Sequence, residues 1–562
     1  MSESHPTAER LPAWLFRWPV PILMLVCLLA WLPGLLSLPP LDRDESRFAQ
    51  ASKQMIETGD YVEIRFSTVP RYNKPAGIYW AQAATTRLFG YPPYSQIWTY
   101  RLPSLIGGIL AVLLIYWCAR AFASREAAFL GAALLALTAA LSAEAEIATT
   151  DALLLATVAA AQGFLLRLYL RARGRLKQAP LLLVTLAAWA AVGVGILLKG
   201  PVILAVLALT IAALSAWDRD WRWLRGLRLG PGAIVVLVIV LPWALAIAVA
   251  SHGAFYQRSL GHDFAAKVLA GQESHGAPPG YYLALAGVTL WPATLFVLPA
   301  IGRAVAQRVE PATRFLLAWT VPTWLMFELV PTKLPHYILP VYPALCMLAA
   351  AWLTAPRELQ SGRSQPVLRI IGAIAFLAVA LALAAGLILA PNRFGHGASI
   401  PSMLVAAVLV LLGIAASVLQ LARKPMSACL AAIAAALLLY PIASAIVAPT
   451  LGQIWMSRAI AVHMAHDRAP ADPAPVLAGY VEPSAVFQLG TETHLESGRA
   501  AGQLAAHQGG LALIEDRERA HFLQALHATG GRERAIDQVS GFNYSRGRHE
   551  HVTFYRVTPA AK

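Results

Sequence analysis

Charge is what this sequence has least of. Only 13% of its 562 residues are Asp, Glu, Lys or Arg, and 58% are hydrophobic. Soluble domains carry about 25% charged residues, so the composition excludes a large soluble enzyme and indicates a lipid-embedded chain. Cysteine is scarce too. Cys27, Cys118, Cys346 and Cys429 all lie in or beside apolar runs, which excludes a disulfide framework or a cysteine metal motif and leaves small packing residues. A small-x-small cleavage motif is missing after the first apolar run, Val20 to Leu38, so that run reads as a retained first helix. No H-E-x-x-H spacing supports a zinc peptidase, and no solenoid-type repeat is present.

Apolar runs are what the sequence has in plenty. Thirteen are long enough to span, centred near residues 28, 109, 134, 159, 189, 208, 240, 291, 320, 345, 379, 411 and 437, given the roughly 20 residues a hydrocarbon crossing needs. The pair around Lys199-Gly200-Pro201 is separated only by a tight polar break. The net charge of +15 does not indicate nucleic acid, because the basic residues sit in short loops, where they orient membrane helices. Arg10 and Arg17, then Arg120 and Arg125, then Arg171 to Lys177 and their later counterparts fall in alternate loops. The positive-inside rule puts the N-terminus in the cytoplasm, and an odd span count puts the tail in the periplasm of an inner-membrane protein. The expected domains are a membrane domain, 1–447, and a periplasmic α/β domain, 448–562. In the first, the 39–99 loop carries interfacial helices. In the second, strands are expected at 476–480, 511–514, 535–539 and 552–557, with a helix at 517–527.

Five polar segments gather on the outer face. Asp42 to Phe48 follows the first helix with three acids and two arginines. Paired carboxylates suit acid/base work, metal binding or substrate positioning, and equally a helix start. Arg71-Tyr72-Asn73-Lys74-Pro75 belongs to a loop that breaks the charge rule, with Arg43, Arg47, Lys53, Arg65, Arg87 and Arg101 also on the wrong side. Phosphate binding is an economical reason for such cations. Glu144, Glu146 and Asp151 flank the start of the fourth span, where Asp151 suits either an N-cap or the mouth of a site. Residues 251–280 include Tyr256, Arg258 and His262; His262 suits a metal, a phosphate or a structural role. Lys333-Leu334-Pro335-His336-Tyr337 precedes the tenth span, and Lys333 either snorkels or adds a cation to the same mouth. Carboxylates and cations on one membrane face suit transfer chemistry on phosphate-bearing lipids. A transporter would more typically place ionisable residues in mid-helix.

These motifs resemble the GT-C superfamily of integral-membrane glycosyltransferases, and most closely its ArnT group of 4-amino-4-deoxy-L-arabinose (aminoarabinose) lipid A transferases. The resemblance rests on Asp44-Glu45-x-Arg47-Phe48-Ala49, Lys74-Pro75 ahead of Gly77-Ile78-Tyr79-Trp80, Thr150-Asp151 and Lys199-Gly200-Pro201. It extends to Lys333-Leu334-Pro335-His336-Tyr337-Ile338-Leu339-Pro340 and to Gly541-Phe542-Asn543-Tyr544 in the tail. It implies a GT-C helical bundle of about thirteen transmembrane helices, an undecaprenyl phosphate-linked aminoarabinose donor, a lipid A phosphate acceptor and resistance to polymyxin and cationic peptides. Asp44 then matches the catalytic position and Asp151 a second acid, with Glu45 beside them. Lys74, Arg258, Tyr337, Arg47 and Lys333 are the expected donor-phosphate ligands. The group often has an acid just before Lys-Pro where this chain has Asn73. A divalent metal would then need His262 or Glu45. The competing expectations are a transferase acting on protein or another glycan, and a lipid-sugar flippase.

Overall fold

The computed structural model describes residues 17–259, 276–360 and 362–560. The N-terminal part runs α1 (Pro19–Ser37), α2 (Asp44–Thr58), a short hairpin β1 (Arg65–Phe66) and β2 (Val69–Pro70), α3 (Gly77–Phe89), α4 (Ile97–Ala119), α5 (Arg125–Ala136) and α6 (Ala139–Glu146). It continues through α7 (Asp151–Ala172), α8 (Leu182–Lys199), α9 (Val202–Asp218) and α10 (Leu229–Ala250). Further helices cover Tyr281–Thr289, Thr294–Ala306, Pro311–Leu329, Tyr342–Leu353, Gln365–Phe394, Ile400–Leu421 and Pro425–Ile442.

Among the described residues, eight helices are long and apolar enough to cross a membrane, nine if α5 and α6, bent by 60°, count as one span. Twelve of the thirteen expected centres fall within helices. Some of those helices, such as Val202–Asp218 and the one ending at Leu353, are shorter than a full crossing. The thirteenth centre, residue 291, falls in the turn between Tyr281–Thr289 and Thr294–Ala306. Pro292 interrupts the run there, since it lacks an N–H and restricts the residue before it.

The spans differ sharply in their surroundings. The α7 span is 83% buried within the protein and α10 only 11%. The apolar surface of α10 is therefore left for lipid, while α7 is enclosed by the other helices. At its other end the bundle is tied by Asp218, which accepts from Arg173 at 2.8 Å, from Tyr169 at 2.6 Å and from Arg314.

The two helices expected in the 39–99 loop are present as α2 and α3; the β1–β2 hairpin between them was not anticipated. Asp44 and Glu45 in the first turn of α2 complement its positive N-terminal end. Gly59 closes it in the left-handed conformation at φ 74°, which glycine adopts without steric cost.

The tail folds on a five-stranded sheet of order β4-β3-β5-β7-β6. Its strands are β3 (Val476–Ala478), β4 (His494–Glu496), β5 (Gly510–Glu515), β6 (Arg532–Asn543) and β7 (Arg548–Thr558). β3 is parallel to β4 and β5, while β5–β7 and β6–β7 are antiparallel. Met456, Ile460, Tyr480, Leu513 and Phe554 make one apolar layer, and Ala501, Ile514, Phe522, Leu526 and Tyr555 another. All four expected strands and the expected helix (Asp516–Ala528) are present. Strand β4 and the helices Met456–Asp467, Pro483–Leu489 and Gly498–Gln508 are additional.

Candidate active site

Two carboxylate groups lie at one mouth of the bundle. The first is built on α7 and α8. Gly200, at φ 63°, ends α8 just before Pro201. This fixes Lys199 at the C-terminal end of one helix opposite Asp151 at the N-terminal start of another, and both helix dipoles favour the pairing. The Lys199 ammonium donates to Asp151 Oδ1 at 2.5 Å, with both side chains nearly buried. Thr150 donates to Oδ2 at 3.0 Å. His336 lies with Nε2 3.7 Å from Asp151 Oδ2 and Nδ1 3.3 Å from Glu144 Oε1. Thr149 donates to the other Glu144 oxygen at 2.5 Å. Lys199 also sits 4.4 Å above the Tyr337 ring, a cation–π arrangement. Lys74 is near enough to Asp151 to stabilise its charge.

The second group is the start of α2. Asp44 is exposed and lies close enough to Tyr79 to act on its hydroxyl, which burial holds above the usual phenol range and Arg71 opposes. Arg71 Nε donates to that hydroxyl at 3.2 Å, and the guanidinium lies 5.6 Å from the Phe48 ring. Residues 71–75 therefore connect the two groups, with Arg71 beside the Asp44 end and Lys74 toward Asp151. Arg258 is exposed and acts electrostatically on Tyr72, whose phenol is pushed up to about 12, first by burial and then by Glu63. Arg47 is half-buried on α2.

Two of the expected site residues serve the fold instead. Glu45 is 2% exposed. Arg101 Nε and Nη2 donate to its two oxygens at 2.7 and 2.9 Å, and the backbone N–H groups of Ala148 and Leu41 donate at 2.8 Å each. Its acceptor positions are filled, which corrects its expected catalytic and metal roles. Arg101 uses its remaining donors on the carbonyls of Leu35, Leu38 and Pro39. This buried pair locks α2 to α4 and to the loop before α7. Lys333 is also buried and donates to the carbonyls of Ala277 and Val330 at 2.7 and 2.8 Å. Its ammonium closes the end of the Pro311–Leu329 helix rather than facing the mouth. His262 lies outside the described residues. Among the described residues, no group of three or more His, Cys, Asp or Glu side chains is arranged to hold a metal. Among the described residues, Glu45 has no free acceptor to offer a metal.

Sequence reasoning undervalued Glu144, Lys199 and His336. Their signal was polarity at the mouths of apolar runs, but nothing local showed that three separate loops converge on Asp151.

The bundle, its α2 and α3 helices and the small α/β tail define a polytopic membrane protein of the GT-C fold. A crystal structure of ArnT from Cupriavidus metallidurans bound to undecaprenyl phosphate superposes with a TM-score of 0.74 over 95% of this chain and 97% of that one, at 21% identity. The oligosaccharyltransferase AglB of Archaeoglobus fulgidus reaches 0.52 over 96% of this chain and 74% of its own, at 12% identity. The dolichyl-phosphate-mannose-protein mannosyltransferase family matches residues 40–254. An undecaprenyl phosphate-alpha-4-amino-4-deoxy-L-arabinose arabinosyl transferase of Aeromonas salmonicida is 31% identical over 415 residues, 71% of this chain and 72% of its own. A second such transferase, of Pseudomonas fluorescens, is 31% identical over 360 residues, 62% of each chain. The chain belongs to this family of arabinosyl transferases.

Proposed function

We propose that this protein transfers 4-amino-4-deoxy-L-arabinose from undecaprenyl phosphate to a lipid A phosphate at the outer face of the bacterial inner membrane, with its N-terminus cytoplasmic and its tail periplasmic. The observation that carries this reading is the meeting of Asp151, Lys199, His336, Tyr337 and Lys74 at the mouth of a lipid-facing bundle, joined by residues 71–75 to the exposed Asp44. Homology to named transferases supports the donor. The acceptor follows from the family resemblance.

In this mechanism an acceptor phosphate oxygen attacks the anomeric carbon, the bond to the donor phosphate breaks, and undecaprenyl phosphate leaves with the bonding electron pair. A phosphate is already ionised near neutral pH, so the nucleophile needs little help from a base. The larger task is to bring two anions together. Lys74 and Arg258 grip the leaving phosphate, with Tyr337 as a hydroxyl donor. Asp44 orients the acceptor or the sugar amine and stabilises positive charge developing on the ring. Asp151, held by Lys199, supplies a fixed second carboxylate. Arg47, half-buried on α2, is the remaining phosphate ligand in this scheme.

Mass spectrometry of lipid A from a deletion strain tests the reading. An aminoarabinose-sized mass increase with the parent chain, absent with stably inserted Asp44→Ala protein, is the expected result. Unmodified lipid A from a strain that makes the donor and expresses the parent well would redirect the reading to a transferase with another acceptor. Movement of a lipid-linked sugar without covalent product would redirect it to a flippase.

A further inference from the structure

Asp44 opens a helix whose approach is unusual. Arg43, the residue before it, sits at φ 62° and ψ −110°, a backbone conformation that L side chains rarely adopt. Something must hold it, and the contacts nearest to it come from the far end of the chain.

The β6–β7 hairpin tip, residues 544–547, reaches the turn at residues 41–43. The Asp42 backbone N–H donates to the Tyr544 hydroxyl at 2.7 Å. The Arg43 guanidinium donates to the Ser545 carbonyl, and the Ser484 hydroxyl donates to the Asp42 carboxylate. The tip is itself braced. Asn543, 2% exposed, donates to Glu482 at 3.0 Å and Glu550 at 2.8 Å, and Arg548 donates to Glu550 at 2.7 Å. Gly541 is required where β6 crosses the preceding segment, since a Cβ there would lie 2.5 Å from the Gln453 carbonyl. The Gly541-Phe542-Asn543-Tyr544 motif is therefore the sequence of the hairpin end that meets the site. Further along α2, Gln50 donates to Thr491 at 2.7 Å and Lys53 to the Phe487 carbonyl at 3.4 Å.

We propose that this hairpin tip, together with Ser484 on the Pro483–Leu489 helix, is a positioning element for Asp44: Tyr544 and Ser484 act on the transfer step by holding Asp42 and, through it, the first turn of α2. The inference rests on the reading that Asp44 serves the reaction. Neither Tyr544 nor Ser484 touches the reacting atoms. Removing the Tyr544 hydroxyl leaves the part-buried Asp42 N–H without its acceptor, and the strained turn then relaxes.

Asp42 gives the clamp a chemical signature. Burial pushes its carboxyl up to about 7, with Glu482 and Glu550 raising it further and Ser484 and Arg43 opposing. Tyr544 and Tyr480 also face it, and burial raises both phenols. The carboxyl is thus most easily accommodated in neutral form, which an amide reproduces.

The test uses full-length protein in nanodiscs. Tyr544→Phe and Ser484→Ala are each expected to lower kcat about tenfold while leaving KM for the lipid-linked sugar unchanged. Binding of undecaprenyl phosphate alone should not change. Amide hydrogen exchange should quicken at Asp42 and Arg47, whose N–H groups donate to the Tyr544 hydroxyl and to the Arg43 carbonyl, and not in the last turn of α2. Asp42→Ala should behave like Tyr544→Phe, whereas Asp42→Asn should keep kcat and remove its variation with pH near 7. Parental kcat and parental exchange in Tyr544→Phe would overturn the proposal. So would a global rise in exchange accompanied by lost undecaprenyl phosphate binding, because that is the signature of a merely structural contact. If the parent makes no product, the transfer reading fails, and the exchange measurement still decides whether the tip holds the turn.

Discussion

The Asp151 side of the site and the Asp44 side hold their acids by opposite means. Asp151 is built into the membrane bundle. Its partners Lys199, Thr150 and His336 come from helix ends that pack against one another, and its pairing with Lys199 is nearly buried. Asp44 is exposed at the start of α2, and the contacts that fix its approach come from the α/β tail some 500 residues later in the chain. A carboxylate inside a low-dielectric wall needs a permanent counter-charge. A carboxylate that must meet a substrate has to be left open, so its position has to be set through its neighbours. The contrast separates a wall that holds its charge by direct pairing from a rim that holds an exposed charge through its neighbours.

The strongest way to break this comparison is to cut the tie that holds the rim to the wall. Arg101→Met leaves Glu45 buried without its cation, and removing one partner of such a pair costs about 3–5 kcal/mol. Thermal unfolding in detergent should show a large loss of stability, with activity lost in proportion to folded protein. Next comes the bridge between the two groups. Lys74→Ala is expected to raise the barrier by about 3 kcal/mol, roughly two orders of magnitude in kcat, with the protein still folded. Intact turnover in that variant would remove Lys74 from the phosphate clamp. A smaller effect is expected from Lys333→Met, because its ammonium serves two carbonyls rather than substrate. About 1–3 kcal/mol of stability should be lost, while KM for the donor stays at the parental value. A rise in KM would restore Lys333 as a phosphate ligand.

The remaining effect sharpens the comparison rather than breaking it. The Asp42 carboxyl is pushed from 3.8 to about 7 in the folded protein by burial first. A raised acid pKa means that the native state holds a proton the unfolded state has released. The Asp42 contribution to stability is therefore fully present below pH 3.8, is lost as pH rises toward about 7, and is gone above it. Measured by thermal unfolding across that window, the decline should flatten in Asp42→Asn. Asp151 variants should not remove it.

Much of this architecture was legible in the chain. Apolar runs separated by basic loops announce a multi-pass bundle, because hydrocarbon demands long apolar segments and internally satisfied backbones. The interfacial helices expected in the 39–99 loop are present as α2 and α3. The Asp-Glu, Lys-Pro, Thr-Asp and Lys-Leu-Pro-His-Tyr motifs marked the segments that meet at the mouth. What local pattern could not show was which of these polar groups remain available. Asp44 and Glu45 are neighbours and look interchangeable in sequence. A helix turns about 100° per residue, so one faces outward while the other meets Arg101, a residue of α4.

By itself, then, the sequence determined the class of environment, the helical segments, the strands of the tail and the set of charged residues near the outer surface. Those properties depend on local hydrophobicity, turn chemistry and charge placement. The tertiary structure alone decided that Lys333 caps a helix, that Glu144, His336 and Lys199 surround Asp151, and that Tyr544 reaches Asp42. These are contacts between segments tens to hundreds of residues apart. They are fixed by how whole helices and sheets pack, and no local stretch of the chain carries that information.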